Sequence, residues 1–196
     1  MRVLHIDSSI LGEGSASRAL TREIIERVKE AHPDAEVTYL DLAAQELPHL
    51  SHRSLARSDE REAARNAAAL DEFLAAELLV IGAPIYNFSI PSQLKAWIDR
   101  ITVAGKTFRY TASGPEGLAG DKEVIVAMAR GGVTGAASAG EFGESYLKFL
   151  FAFLGIENVR FVRAEGLAIS PEHREASLKA ARAVIAAVAP AQALAA

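Results

Sequence analysis

The sequence predicts an α/β fold in which a parallel sheet is covered by helices on both faces, and three observations carry that expectation. Strand-like and helix-like segments alternate along the 196 residues, as crossover connections require. The run Leu79-Val80-Ile81-Gly82-Ala83 is apolar throughout instead of alternating, which suits a strand buried on both faces. Serine-rich, aromatic or glycine-rich loops follow three of the strands, at the C-terminal ends where open α/β sheets keep their ligands.

Taken in chain order, the expected strands cover residues 3–7, 36–42, 78–83, 123–128 and 159–166. Leu20, Ile24 and Val28 share one face of a first helix, and Leu94, Trp97, Ile98 and Ile101 stand at the i, i+3, i+4, i+7 positions of another. Pro91 suits the first turn of that second helix. Ala-rich stretches at about 59–76 and 171–188 are further helices, and residues 140–154 make a fifth. Residues 107–118 read as a short hairpin insertion with its turn chemistry in Ser113-Gly114-Pro115. Its aromatic residues suit a cover for a ring pocket, a partner subunit, or packing alone. Residues 189–196 read as a frayed tail. No repeat or linker interrupts the series, so one domain over 1–196 is expected.

Composition narrows the function. Half of the residues are hydrophobic, enough for a sizeable core at this length. A net charge of -4 without a Lys/Arg cluster offers no field for nucleic acid. There is no cysteine, so disulfides, thiolate metal sites and cysteine nucleophiles are excluded, and redox chemistry must come from a bound cofactor. His5, His32, His49, His52 and His173 show no tight ligand spacing, and no metal site is expected. The charges between Asp59 and Arg65 read as a solvated helix face. Met1 to Asp7 enters directly as a strand, without a leader's apolar core. No apolar run approaches the roughly 18 residues of a membrane span, and the cytoplasm is the expected location.

Three loops carry the chemistry. Pro84, Ile85, Tyr86, Asn87 and Phe88 leave the buried third strand with two aromatic faces and an amide, a set suited to a flat heteroaromatic ring. After the first strand, Ser8-Ser9 and Ser15-Ala16-Ser17 surround two glycines. Small residues before a helix N-terminus suit a phosphate, while plain helix capping explains the same serines equally well. Gly12 and Gly14 lack the third glycine of a dinucleotide fingerprint, and Gly105-Lys106-Thr107 follows a helix with Arg100 where a P-loop needs glycine. The third loop, Ala129-Arg130-Gly131-Gly132, pairs glycines whose N–H groups can meet a developing negative charge.

Ala83-Pro84-Ile85-Tyr86-Asn87-Phe88, Pro91-Ser92-Gln93-Leu94-Lys95, Gly105-Lys106-Thr107-Phe108-Arg109-Tyr110, Gly114-Pro115-Glu116-Gly117 and Arg130-Gly131-Gly132 together resemble the bacterial FMN-dependent NADH azoreductases. The likeness runs nearly end to end, from Asp7-Ser8-Ser9 to Phe151-Ala152-Phe153-Leu154-Gly155-Ile156 and Ala164-Glu165-Gly166. It implies a flavodoxin-like three-layer sandwich with sheet order 2-1-3-4-5, and a homodimer whose subunits complete each other's sites. It further implies that Ser9 and Ser15, Ala16 and Ser17 hold the phosphate of non-covalent FMN. Pro84 to Phe88 line the flavin ring, Ala129 to Gly132 meet its polar edge, and Tyr110 and Phe153 belong to an aromatic wall at the interface. This sequence departs from the family pattern at Ala16, Ala129 and Thr134, where the member most directly comparable carries glutamine, serine and histidine.

The implied reaction is ping-pong hydride transfer through FMN from NADH or NADPH to a quinone, with aromatic azo compounds as tolerated acceptors and quinone detoxification as the role. No side chain is assigned as acid or base. A flavodoxin-type electron carrier and an NADPH-dependent FMN or chromate reductase are the alternatives; a carrier's strongly acidic surface is not evident at -4. A phosphoacceptor signalling domain would need a second carboxylate beside Asp7, which Ala83 and its neighbours do not supply.

Overall fold

The computed structural model describes residues 1–45, 47–55, 59–133 and 142–188. Its strands are β1 (Arg2–Asp7), β2 (Glu36–Asp41), β3 (Leu78–Pro84), β4 (Phe108–Thr111), β5 (Gly114–Gly117), β6 (Glu123–Ala129) and β7 (Asn158–Ala164). Its helices are α1 (Ala16–Ala31), α2 (His52–Leu55), α3 (Glu60–Ala75), α4 (Ser92–Ile101), α5 (Gly143–Phe153) and α6 (Pro171–Val188). Five strands form one parallel sheet of order β2-β1-β3-β6-β7. With the β4-β5 hairpin set aside, this is the expected 2-1-3-4-5 arrangement.

The layers follow from strand geometry, because successive side chains leave a strand on opposite faces. Leu4, Ile6, Leu79, Ile81, Val126 and Met128 point to one side, where they pack with Phe73 of α3, Trp97 of α4 and Phe151 of α5. Val3, Val80, Ile125 and Val162 point to the other, against Leu20, Ile24 and Val28 of α1 and Ile185 of α6. Every residue of β3 is buried. Each of its fully buried aliphatic side chains stabilises the fold by about 1.5–3 kcal/mol relative to exposure, which explains why this central strand is apolar at every position except Gly82.

Several boundaries differ from the sequence expectation for local reasons. Asp59 lies outside α3 as its N-cap, accepting from the N–H groups of Arg61 and Glu62 at 3.0 Å each. Pro91 likewise precedes α4, at its N-cap position. β7 stops at Ala164, and Gly166 sits in a turn at φ 70. The short α2 has no apolar period that would mark it in the sequence. The start expected for α5 at residue 140, and the tail 189–196, lie outside the described residues.

The hairpin is present, but its turn is Ala112-Ser113; Pro115 belongs to β5, opposite Tyr110. Its edge position makes a missing N–H donor tolerable. Gly117 docks the hairpin on the end of α5, where a Cβ would fall on the backbone of Gly155. The charge cluster is not wholly a solvated face: Glu62 turns inward and accepts from buried Arg100 at 3.2 Å. Among the described residues no helix is long and apolar enough to cross a membrane.

Candidate functional site

Parallel register brings three strand ends onto one rim. Asp7 of β1 pairs with Gly82 of β3, and Pro84 of β3 pairs with Ala129 of β6. The loops beyond them are stitched together: the Ser8 hydroxyl donates to the Gly82 carbonyl at 2.6 Å, and the Ile85 N–H donates to the Ala129 carbonyl at 2.8 Å. Gly82 is required there, because a Cβ would come 2.5 Å from the Asp7 carboxylate.

The serine loop closes over the N-terminus of α1. Ser9, Ser15 and Ser17 are all buried. Ser15 caps the helix, its Oγ accepting the Arg18 N–H at 3.3 Å and lying 3.1 Å from Ser17 Oγ. Capping and anion binding are compatible here, since a helix N-terminus leaves further N–H groups without intrahelical partners. Ala16 contributes its backbone alone.

The loop after β3 is a tight turn. Tyr86 and Ser89 exchange backbone hydrogen bonds of 3.0 and 3.1 Å, and the two residues between them, Asn87 and Phe88, hold φ of 48 and 72. Asn tolerates this left-handed conformation, whereas an aromatic residue there is strained by roughly 1–2 kcal/mol. Phe88 gains no burial in return, being 69% exposed. Strain of this kind collects at ligand sites. The Tyr86 hydroxyl lies 3.1 Å from Ser9 Oγ and accepts the Ile10 N–H at 3.3 Å. A cavity of about 630 Å³ joins both loops, lined by Ile10, Ile85, Tyr86, Asn87, Ile90 and Gln93. A second cavity of about 450 Å³, between Leu40, Ala44, Arg65 and Glu72, contains none of the expected residues.

After β6, the carbonyls of Arg130, Gly131 and Gly132 accept from Leu167, Ala168 and Gly166 at 2.8–3.1 Å. The chain is thereby pinned by its oxygens. The N–H groups of Gly131 and Gly132 have no protein acceptor among the described residues. Arg130 is buried and pairs with Glu165 at 3.3 Å. Thr134 lies outside the described residues.

Tyr110 and Phe153 are linked through Phe108, whose ring centroid is 5.5 Å from Tyr110 and 4.7 Å from Phe153. Phe149 stacks on Phe153 at 6.5 Å. Tyr110 and Phe149 end this ladder, 76% and 72% exposed. Among the described residues no ring contact joins it to Phe88.

Sequence reasoning missed the support beneath the serine loop. Asp7 and Asp41 end adjacent strands in register, and buried Arg18 lies between them, 2.7 Å from Asp41 and 3.9 Å from Asp7. The hydrogen bond to Asp41 raises the Arg18 pKa above its ordinary value, and the same bond from Arg18 lowers that of Asp41. Burial, then the charge of Asp7, pushes the Tyr39 phenol up to about 12. Asp41 therefore supplies the carboxylate neighbour that β3 lacks, but Arg18 occupies the space between the pair as an ion bridge. Two acidic residues closing neighbouring parallel strands were the available signal.

Comparisons with known proteins bear on the same geometry. A family profile described as flavodoxin-like fold matches residues 1–189. The chain is similar to an FMN-dependent NADH:quinone oxidoreductase of Xanthomonas oryzae pv. oryzae, 55% identical over 181 residues, covering 92% of this chain and 93% of the other. It is 53% identical over 192 residues to an FMN-dependent NADH:quinone oxidoreductase 1 of Pseudomonas syringae pv. tomato, covering 93% and 95%. Among solved structures, an azoreductase from Bacillus anthracis str. Sterne superposes with TM-score 0.85 at 34% identity, over 96% of this chain and 98% of that one. An FMN-dependent NADH-azoreductase from Bacillus anthracis str. Ames Ancestor in complex with FMN gives TM-score 0.85 at 26% identity, covering 97% and 100%.

Proposed function

The chain belongs to the family of flavodoxin-like fold whose profile spans residues 1–189, and from that premise we propose that it is an FMN-dependent NADH:quinone oxidoreductase that also cleaves aromatic azo compounds. One observation carries the reading: the buried serines at the α1 N-terminus and the cavity lined by Ile85, Tyr86 and Asn87 are neighbours on one rim, joined by the Tyr86–Ser9 contact of 3.1 Å. A phosphate and a flat ring of one ligand fit those two places. The curated relatives and the FMN-bound neighbour support the choice of FMN.

In this reading Ser9, Ser15 and Ser17 give hydroxyls to the phosphate, with amide N–H groups of the first turn of α1. Pro84, Ile85 and Tyr86 shape the wall, while Asn87 and Phe88 present an amide and a ring from the strained turn. The N–H groups of Gly131 and Gly132, which have no protein acceptor among the described residues, face the polar edge of the ring, where donors stabilise added negative charge. Ala129 and Arg130 carry those glycines into position. Bound FMN supplies hydride transfer from NADH to the acceptor. No side chain acts as acid or base, and protons come from water.

The chain functions as one domain and as a cytoplasmic homodimer, with Tyr110 and Phe153 in an aromatic wall shared between subunits. Exposed Phe149 and Tyr110 support that placement, because exposed aromatic residues favour interfaces. Quinones need only planar stacking and two electrons, so they are the better acceptors, and removing electrophilic quinones is the role.

The test is anaerobic. Purified protein loaded with FMN should be bleached by NADH and re-oxidised faster by quinones than by azo dyes, with parallel-line kinetics. Protein that does not take up FMN sinks the reading. Flavin left oxidised by NADH but bleached by a reduced protein donor identifies an electron carrier instead.

A further inference from the structure

The polar cluster beneath the serine loop is centred on Arg18. Arg18 uses all five N–H donors of its guanidinium. Its Nε and Nη2 both donate to the Ser9 carbonyl, at 3.2 and 2.7 Å. Its Nη1 and Nη2 each donate to Asp41 at 2.7 Å, and Nη1 also donates to the Tyr39 hydroxyl at 3.0 Å. Tyr39 in turn donates to Asp7 at 3.2 Å, and Thr21 donates to the other Asp7 oxygen at 2.9 Å.

We propose that Arg18, braced by Asp41, is a positioning residue that sets the preference of this site for phosphorylated flavin by fixing the Ser9 peptide. The inference deepens the flavin reading and rests on it. Arg18 has no free donor with which to touch a phosphate, and the Asp41 charge balances its own. Its influence passes through Ser9. With the Ser9 carbonyl held by two N–H groups, the Ser9 hydroxyl is set 3.1 Å from the Tyr86 hydroxyl, and the Leu11 N–H reaches it at 3.3 Å. If the guanidinium is lost, the peptide oxygen is free to turn toward the phosphate and repel it. Lysine cannot replace the arrangement, since an ammonium lacks the planar fork that grips a carbonyl and a carboxylate together.

The experiment titrates apoprotein with FMN and with riboflavin by flavin fluorescence, for the unaltered chain, Arg18→Met, Arg18→Lys and Asp41→Asn. The unaltered chain should prefer FMN. Arg18→Met should weaken FMN by about tenfold or more, the size of a lost charge-assisted pair, with riboflavin changed by less than about twofold. Arg18→Lys should recover little of the preference, and Asp41→Asn should fall between. If Arg18→Met does not fold, the FMN-to-riboflavin ratio of Arg18→Lys and Asp41→Asn decides. Equal weakening of both ligands, or an unchanged ratio, overturns the proposal. An unaltered chain that binds neither flavin overturns the flavin reading itself, and one that binds both equally removes the phosphate preference Arg18 is said to set.

Discussion

The Tyr86 hydroxyl lies 3.1 Å from Ser9 Oγ across 77 residues of sequence, and it also accepts the Ile10 N–H at 3.3 Å. One phenol therefore couples the loop assigned to a phosphate with the loop assigned to a ring. Tyr86→Phe keeps the ring and deletes the coupling. A hydrogen bond of this kind is worth about 0.5–1.5 kcal/mol, so the dissociation constant for FMN should rise by roughly 2- to 10-fold. Fluorescence titration measures it, and an unchanged constant would mean that the two loops bind independently.

Gly132 and Gly117 make a contrasting pair. A Cβ on Gly132 meets nothing within 4 Å, whereas one on Gly117 falls on the Gly155 backbone. Gly132→Ala should leave unfolding within about 0.5 kcal/mol of the unaltered chain and yet weaken FMN, because the new methyl enters the space assigned to the ring edge. Gly117→Ala should destabilise by about 1–3 kcal/mol through overpacking. Urea unfolding of the apoproteins, paired with FMN titration, separates the two effects.

The legible parts of this fold are those set by periodicity and buried runs. Leu79-Val80-Ile81 declared a strand covered on both faces, and the helical period of Leu94, Trp97, Ile98 and Ile101 located the apolar face that α4 turns to the core. Loop composition placed Ser9, Tyr86 and Gly131 at strand ends, which a parallel sheet gathers on one rim whatever its strand order. Arg18 was not legible as a functional residue, because its acceptors at Ser9, Tyr39 and Asp41 come from three segments that only the fold assembles. Glu62 is illegible for the same reason: its helix-surface pattern says nothing of Arg100 arriving from α4. The hairpin turn slipped because Gly114 at φ 120 serves the start of β5 instead of the turn itself.

Phe88 separates binding from stability. Its side chain is 69% exposed and its φ is 72, so it contributes strain and little burial to the isolated chain. Phe88→Ala should change the unfolding free energy of the apoprotein by no more than about 0.5 kcal/mol. FMN affinity or quinone turnover should fall by roughly 2- to 10-fold, the worth of one aromatic contact. Unaltered binding and turnover would remove Phe88 from the site.

Asp41 makes the support of the serine loop sensitive to acid. The bond from Arg18 lowers the Asp41 pKa below the usual carboxylate value, so the carboxylate binds a proton less readily folded than unfolded. Its contribution to stability is fully present above the unfolded pKa, about 4, and is lost as pH falls through the lower folded value. Arg18, whose pKa moves up, stays charged throughout this window and contributes no slope. Denaturant unfolding between pH 7 and pH 3 should therefore show stability falling below about pH 4. Asp41→Asn should be less stable at pH 7 and should fall less steeply on acidification, because it has no carboxylate left to protonate. Parallel curves for the two proteins would show that Asp41 carries none of the acid dependence, leaving it to other lowered carboxylates such as Glu144, where bonds from Arg163 and Lys148 outweigh desolvation.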